Sequence, residues 1–278
     1  MTTDLLSNAH NSLLLAVVLS LIIAGLTKGA IGVGMPIVAL PLLALFIDIK
    51  AAVILLTIPL ILSNIPQALE GGNTAAAARA LWPVLAGMVP GLLAGVYFLV
   101  NDSLPVATLC AGVALIIVAV IMMISAKIAI PGRYQAPSGI MAGFLGGLLG
   151  GTAALPGPIV FTYLIGKGLR GKQFTKEASL FLVISSALLA LVLSSSNQVS
   201  WTEWAWSLAA LVPVGLGMFL GRHIRDRISA ENFKRLVLVV VIVSGVGLAR
   251  KGFTGSWPDV HAHDATAHHT VMPKTHSE

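Results

Sequence analysis

Gly25-Leu-Thr-Lys-Gly-Ala-Ile-Gly-Val-Gly-Met-Pro36 opens the first half of the chain, and Gly143-Phe-Leu-Gly-Gly-Leu-Leu-Gly-Gly-Thr-Ala-Ala-Leu-Pro-Gly-Pro158 opens the second. Glycine, lacking a Cβ, permits non-helical dihedrals and close backbone approach, and proline removes a donor and frees the carbonyl one turn earlier. Two such stretches within long apolar surroundings predict two helix breaks in equivalent places.

The surroundings set the solvent. Of 278 residues, 56% are hydrophobic and 10% are charged, with a mean hydropathy of +0.92, against roughly 25% charged in an ordinary soluble domain. Runs such as Leu104 to Ala126 and Phe233 to Ala249 approach the ~20 residues that cross a bilayer. The expected fold class is therefore an all-α integral membrane protein, multi-pass in the cell inner membrane. Leu13 to Ile23 could pass for a signal-peptide core, but no Lys or Arg precedes it and the chain stays hydrophobic afterwards, so it reads as a mature segment.

Apolar runs read against Gly, Pro and charge punctuation give ten segments, near 12–30, 33–47, 51–69, 80–100, 104–126, 138–150, 155–167, 176–195, 203–221 and 231–250. Those at 33–47, 138–150 and 155–167 are short, which suggests re-entrant half-helices. With the N-terminus outside, the cytoplasmic loops carry Arg79, then Lys127 and Arg133, then Lys167, Arg170 and Lys172, then Arg222, Arg225 and Arg227. The opposite loops carry Lys50 with Asp48, then Asp102, then Glu203. This is the basic-residue asymmetry of cytoplasmic loops, with Arg250 and Lys251 as its exception. An eight-span arrangement would put the 127–133 and 167–172 clusters on opposite faces. The net charge of +6 thus reports orientation, and nucleic acid is not an expected partner because no basic, aromatic-interleaved surface forms.

The two halves match in order. Gly25, Gly29 and Gly32 align with Gly143, Gly147 and Gly150 at a constant offset of about 118 residues. Lys50 and Ala52 then align with Lys176 and Ala178, Pro90 with Pro213, and Asp102 with Asp226. Five segments per half is an odd number, so the second repeat inserts upside down and two inverted repeats are expected. The implied divisions are an N-terminal membrane repeat 1–126, a cytoplasmic linker 127–137, a C-terminal membrane repeat 138–250 and a polar His-rich tail 251–278. That tail carries His261, His263, His268, His269 and His276 and reads as a disordered, solvated stretch, weak metal binding being the alternative.

Helix breaks inside lipid are tolerated where protein or a water-filled cavity satisfies the exposed amides, so the two breaks point to a substrate site. Half-helix N-termini aim free N–H groups and positive dipole ends into such a cavity, which favours an anion. Gly32, Gly34 and Pro36, and Gly150, Gly151, Thr152 and Pro156, are the candidate site residues of the breaks. For the outer glycines the alternative is a small-residue packing face, since Gly25 and Gly29, or Gly143 and Gly147, have GxxxG spacing. Lys28 lies among these glycines, where it either attracts the anion or snorkels to the interface. Asn64 and Gln67, three apart on one helix face, are candidate donors to oxyanion oxygens, with Ser185 and Ser186 on the partner segment; hydrogen bonding between helices is the alternative for Asn64 and for the serines. Thr57, Ser63 and Ser179 share these segments.

Asp48, Glu70, Asp102, Glu177, Glu203, Asp226 and Glu231 all fall near segment ends, so no midplane acid is expected to relay protons. No Ser-His-Asp, Cys-His or zinc-ligand arrangement and no phosphate-binding GxxxxGK[ST] loop occurs within the spans. The chain is therefore expected not to be an enzyme, with no catalytic residues, no metal site and no cofactor. Cys110, the single cysteine, reads as a small hydrophobe.

The glycine-rich break ending in proline, once per half, resembles the TauE/SafE family of sulfite and organosulfonate exporters over roughly residues 12–250. The first motif departs in having Val33 between Gly32 and Gly34, and the second in having Thr152 where another glycine is common. The resemblance implies a secondary transporter of small sulfur-containing anions, with a small anionic substrate and the lipid bilayer as partners and a homo-oligomer compatible with the fold. A passive anion channel and an accessory membrane subunit are the competing readings.

Overall fold

The computed structural model describes residues 2–32, 34–101, 104–124, 129–196 and 199–224, together with 239, 242–243, 245–250 and 252–253. Every regular element among the described residues is helical. The helices are α1 (Thr2–Ile31), α2 (Met35–Leu43), α3 (Ile49–Leu69), α4 (Thr74–Ala80), α5 (Trp82–Asn101), α6 (Leu104–Ile124), α7 (Gln135–Ala153), α8 (Gly157–Gly166), α9 (Gly171–Ser195), α10 (Trp201–Ala209) and α11 (Leu211–Ile224). A 3₁₀ turn, Gly132–Tyr134, leads into α7.

Among the described residues, five stretches are long and apolar enough to cross a membrane: Asn11–Ile31, Ile49–Leu69, Trp82–Asn101, Gly171–Ser195 and Trp201–Ile224. At about 1.5 Å per residue, α2 and α8 rise only about 14–15 Å, half of the hydrocarbon thickness. The segments expected from the sequence up to residue 221 recur, with differences. α1 starts ten residues earlier than expected, and α7, expected as a short segment at 138–150, has 19 residues and rises about 28 Å, close to the full hydrocarbon thickness. The stretch 203–221 is divided into α10 and α11. The alanine-rich α4 appears in the connection before α5, started by Asn73, whose side chain accepts from the Ala76 amide at 3.3 Å. The stretch 231–250 lies mostly outside the described residues, as do Val33, Asp102, Lys127, Arg225, Asp226, Arg227, Glu231, Lys251 and the histidines of the tail.

Local signals explain where helices start. The Asp48 carboxylate accepts from the Ala51 amide at 2.8 Å and opens α3. Ser200 and Glu203 form a reciprocal capping box at α10. Inside α3, Pro59 denies the Leu55 carbonyl its usual donor. The Ser207 hydroxyl of α10 donates to that carbonyl at 3.0 Å and accepts from the Ile58 amide at 3.2 Å, so a neighbouring helix repairs the defect.

Three helix pairs organise the molecule: α1 with α11, α5 with α7, and α3 with α9 between them. The first two are glycine seams. A Cβ on Gly25 or Gly29 of α1 would stand 2.2 Å from the Val214 or Met218 carbonyl oxygen of α11, and one on Gly217 or Gly221 would stand 2.1 or 2.2 Å from the Ile22 or Leu26 oxygen. On the other side, Gly143 and Gly147 of α7 oppose the Val84 and Met88 oxygens, and Gly87 and Gly91 of α5 oppose those of Ile140 and Phe144, at 1.9 to 2.3 Å. Lipid supplies no hydrophobic drive between helices, so this backbone proximity is what holds them. For Gly25, Gly29, Gly143 and Gly147 the packing-face reading is the one the contacts bear out.

Candidate functional site

The first break lies between the end of α1 at Ile31 and the start of α2 at Met35, with Gly32 and Gly34 at its two sides. Gly32 (φ +90°) closes α1 by donating its amide to the Lys28 carbonyl at 2.7 Å, and Gly34 (φ +100°) starts α2. Both sit in the left-handed region that glycine tolerates. Pro36 follows in the first turn of α2, where its missing donor is harmless.

Lys28 lies in the last turn of α1 and is only 2% exposed. It does not snorkel to a surface. Its ammonium donates to Asn64 Oδ1 on α3, and Asn64, itself fully buried, donates its Nδ2 to the Leu60 carbonyl at 2.7 Å. No carboxylate among the described residues forms an ion pair with Lys28. The negative end of the α1 dipole offsets part of the charge; the remainder is held by one neutral amide. One turn along α3, Gln67 places its Nε2 3.6 Å from where a Gly32 Cβ would lie, and its Oε1 accepts from Ser179 of α9 at 3.0 Å. Lys28, Gly32, Asn64, Gln67 and Ser179 thus form one polar line joining α1, α3 and α9. Ser63, beside Asn64, is buried with a hydroxyl that has no partner among the described residues.

The second half is arranged differently. Its break falls at Ala154, Leu155 and Pro156, with Ala154 in the left-handed region (φ +51°) and α7 closed by the Ala154 amide on the Gly150 carbonyl at 3.0 Å. Gly150, Gly151 and Thr152, read from the sequence as part of the break, stay helical in α7. The reason is packing: a Cβ on Gly150 would meet that of Pro156 at 2.9 Å, and one on Gly151 would stand 2.5 Å from the Leu92 oxygen of α5. The Thr152 hydroxyl donates back to the Leu148 carbonyl at 2.9 Å. Ser185 and Ser186 are buried on α9, beyond Ser179, and no hydrogen bond joins them to the Lys28–Asn64 pair.

The sequence offered interhelical hydrogen bonding as the reading of the serines, and Ser179 does this, its hydroxyl donating from α9 to Gln67 of α3. One buried residue was missed. Glu177, expected near a segment end, is 3% exposed because α9 begins at Gly171 and places it in the second turn. Its Oε1 accepts from Gln173 at 3.2 Å, and its Oε2 is buried with no hydrogen-bond partner among the described residues.

Cavities lie elsewhere among the described residues. One, of about 270 Å³, is lined by Leu13, Val17, Ile54, Leu55 and Trp206, with Glu203 at its edge. Another lies between α7 and α8, bordered by Tyr134, Met141, Ile159 and Tyr163. Lys28, Asn64 and Ser179 of the polar line at the first break are buried, and Gly32 and Gln67 are half-buried.

No curated protein and no solved structure matches the chain. A family model described as sulfite exporter TauE/SafE matches residues 17–248. That match takes in both breaks, both glycine seams and the Lys28–Asn64 pair, and the chain belongs to the sulfite exporter TauE/SafE family.

Proposed function

We propose that the protein is a secondary transporter exporting small sulfur-containing anions across the cell inner membrane, with Lys28, Asn64, Gln67 and the break at Gly32, Gly34 and Pro36 forming the main anion site. The observation that carries this reading is the buried ammonium of Lys28, held by a neutral amide with no carboxylate among the described residues to balance it. An uncompensated charge inside a membrane protein marks a site whose natural partner is a counter-ion. Gly150, Gly151, Thr152, Pro156, Ser185 and Ser186 form the second, uncharged half of the pathway. Purified protein in liposomes should show saturable counterflow of sulfite or an alkyl sulfonate; unsaturable currents without counterflow would favour a channel, and no flux at all an accessory subunit.

Alternating access in this reading rests on two inverted repeats. Exchange of α1 with α7 and of α5 with α11 turns one glycine seam into the other: Gly25 and Gly29 on Val214 and Met218 become Gly143 and Gly147 on Val84 and Met88. Under that exchange Pro213 corresponds to Pro83 rather than to Pro90. The pair α3 and α9 exchanges with itself, so the polar line sits next to the pseudo-two-fold axis, where carriers bind substrate.

The break itself is testable. A β-branched residue at Gly32 has room, the nearest atom being Gln67 Nε2 at 3.6 Å, but must adopt φ +90°, a strain of about 1–3 kcal/mol. Gly32→Val should therefore insert and remain monodisperse while its transport falls at least about tenfold. Wild-type transport by that variant would remove the break from the pathway.

Orientation is tested separately. In a background with Cys110→Ala, Lys172→Cys should resist a membrane-impermeant thiol reagent in intact cells and react in inverted vesicles, because basic loops stay cytoplasmic. Lys172 is exposed, so labelling reports the side of the membrane and not burial. Reaction in intact cells would reverse the topology.

A further inference from the structure

Lys28 is the one basic residue among the buried described residues, and the polar line around it contributes only neutral groups: the Asn64 and Gln67 amides and the Ser179 hydroxyl. Glu177, the one buried acid among them, belongs to α9, where Gln173 of the same helix is its hydrogen-bond partner. From the described residues the site therefore offers one positive charge, and the C-terminal end of α1 already counters a fraction of it.

We infer that this site selects its anion by charge, accepting monoanions with a tetrahedral oxyanion head and rejecting dianions of the same shape; the inference rests on the anion-transport reading above. Sequestering a monoanion beside Lys28 leaves the closed site near neutrality. A dianion leaves one full negative charge in a low-dielectric interior, with the negative end of α1 against it and no second cation to balance it. Neutral amides and hydroxyls solvate the oxygens of either anion, so they set orientation and not charge preference. Shape cannot substitute for charge here, since a sulfonate and a sulfate differ only in a carbon group replacing one oxygen. By this rule a transported oxyacid crosses as its singly charged form, and the second negative charge, where the free acid has one, is removed by protonation before the site closes.

Equilibrium binding of radiolabelled methanesulfonate to the detergent-purified full chain, with unlabelled methanesulfonate, sulfamate or sulfate as competitor, separates the outcomes. Competition is preferable to thermal stabilisation because sulfate stabilises folded proteins unspecifically. The two monoanions should compete with similar affinity, and sulfate should be weaker by on the order of 100-fold or more. Lys28→Arg, which keeps the single charge, should keep this ratio even where overall affinity drops, and Lys28→Gln should lose methanesulfonate binding. Sulfate competing as well as methanesulfonate would overturn the charge rule while leaving anion transport standing. Absence of saturable methanesulfonate binding in wild-type protein, with sulfate itself binding no better, would overturn both.

Discussion

Gly91→Leu is expected to leave almost no monodisperse protein after extraction in mild detergent. Gly91 sits mid-way along α5, and a Cβ there would lie 2.1 Å from the Phe144 carbonyl oxygen and 2.8 Å from its carbon, both backbone atoms of α7. Overpacking of a side-chain core costs about 1–3 kcal/mol because neighbours rotate aside; a backbone carbonyl in a helix cannot. Relief requires separating α5 from α7 along the whole seam, which also opens the reciprocal contacts of Gly143 and Gly147 with Val84 and Met88. The loss should therefore approach the entire ~5–15 kcal/mol stability of a typical fold. Gly215 supplies the control: it is exposed on α11, with nothing within 4 Å of where a Cβ would lie, so Gly215→Leu should be neutral or slightly stabilising. Fluorescence-detected size exclusion and thermal midpoints compare the two. A Gly91→Leu protein with a near-wild-type midpoint would mean that the seam is not a principal contact.

That seam also marks how far the sequence could be read. Apolar runs and their punctuation located α2, α3, α5, α6, α7 and α8 to within a few residues and the C-terminal ends of α1 and α9, because in lipid the length and hydrophobicity of a segment leave it little choice but helix. The spacing of Gly25 and Gly29, or of Gly143 and Gly147, displayed a packing face, but spacing alone does not name the partner. That α1 meets α11 and α5 meets α7 depends on how the chain returns, which no local pattern encodes. The second break was misplaced by a few residues for a related reason. Gly150, Gly151 and Thr152 resemble a helix breaker, yet a close neighbour in α5 keeps glycine helical, and the chain departs from the helix only at Ala154. Around the site, Lys28 and Asn64 were each visible as polar residues in apolar surroundings. Their bond was not, since it joins positions 36 residues apart on different helices. Glu177 escaped because a helix starting five residues before the expected boundary carries it from the end of a segment into its interior.

Lys28→Met is expected to abolish anion transport without lowering stability, a combination that a purely structural lysine cannot give. Methionine retains an unbranched, flexible chain that can fill the same space. Two opposing terms decide the stability. Removing an ammonium from within a membrane helix returns about 2.5–3.5 kcal/mol on insertion-based scales. Leaving Asn64 Oδ1 without its donor costs about 1–3 kcal/mol. The balance runs from about −0.5 to +2.5 kcal/mol, near or above zero, and the double variant Lys28→Met with Asn64→Leu removes the unsatisfied oxygen and should be the more stable of the two, since replacing both partners of a buried hydrogen bond by apolar groups is nearly neutral or favourable. Thermal midpoints at or above wild type, together with counterflow below detection, would place the charge in the transport cycle. Were Lys28 instead a structural tie between α1 and α3, the single variant would unfold several degrees earlier, and whatever protein remained folded would still carry the anion. The two measurements move in opposite directions under the two roles, so even a partial loss of transport can be assigned once the midpoint is known.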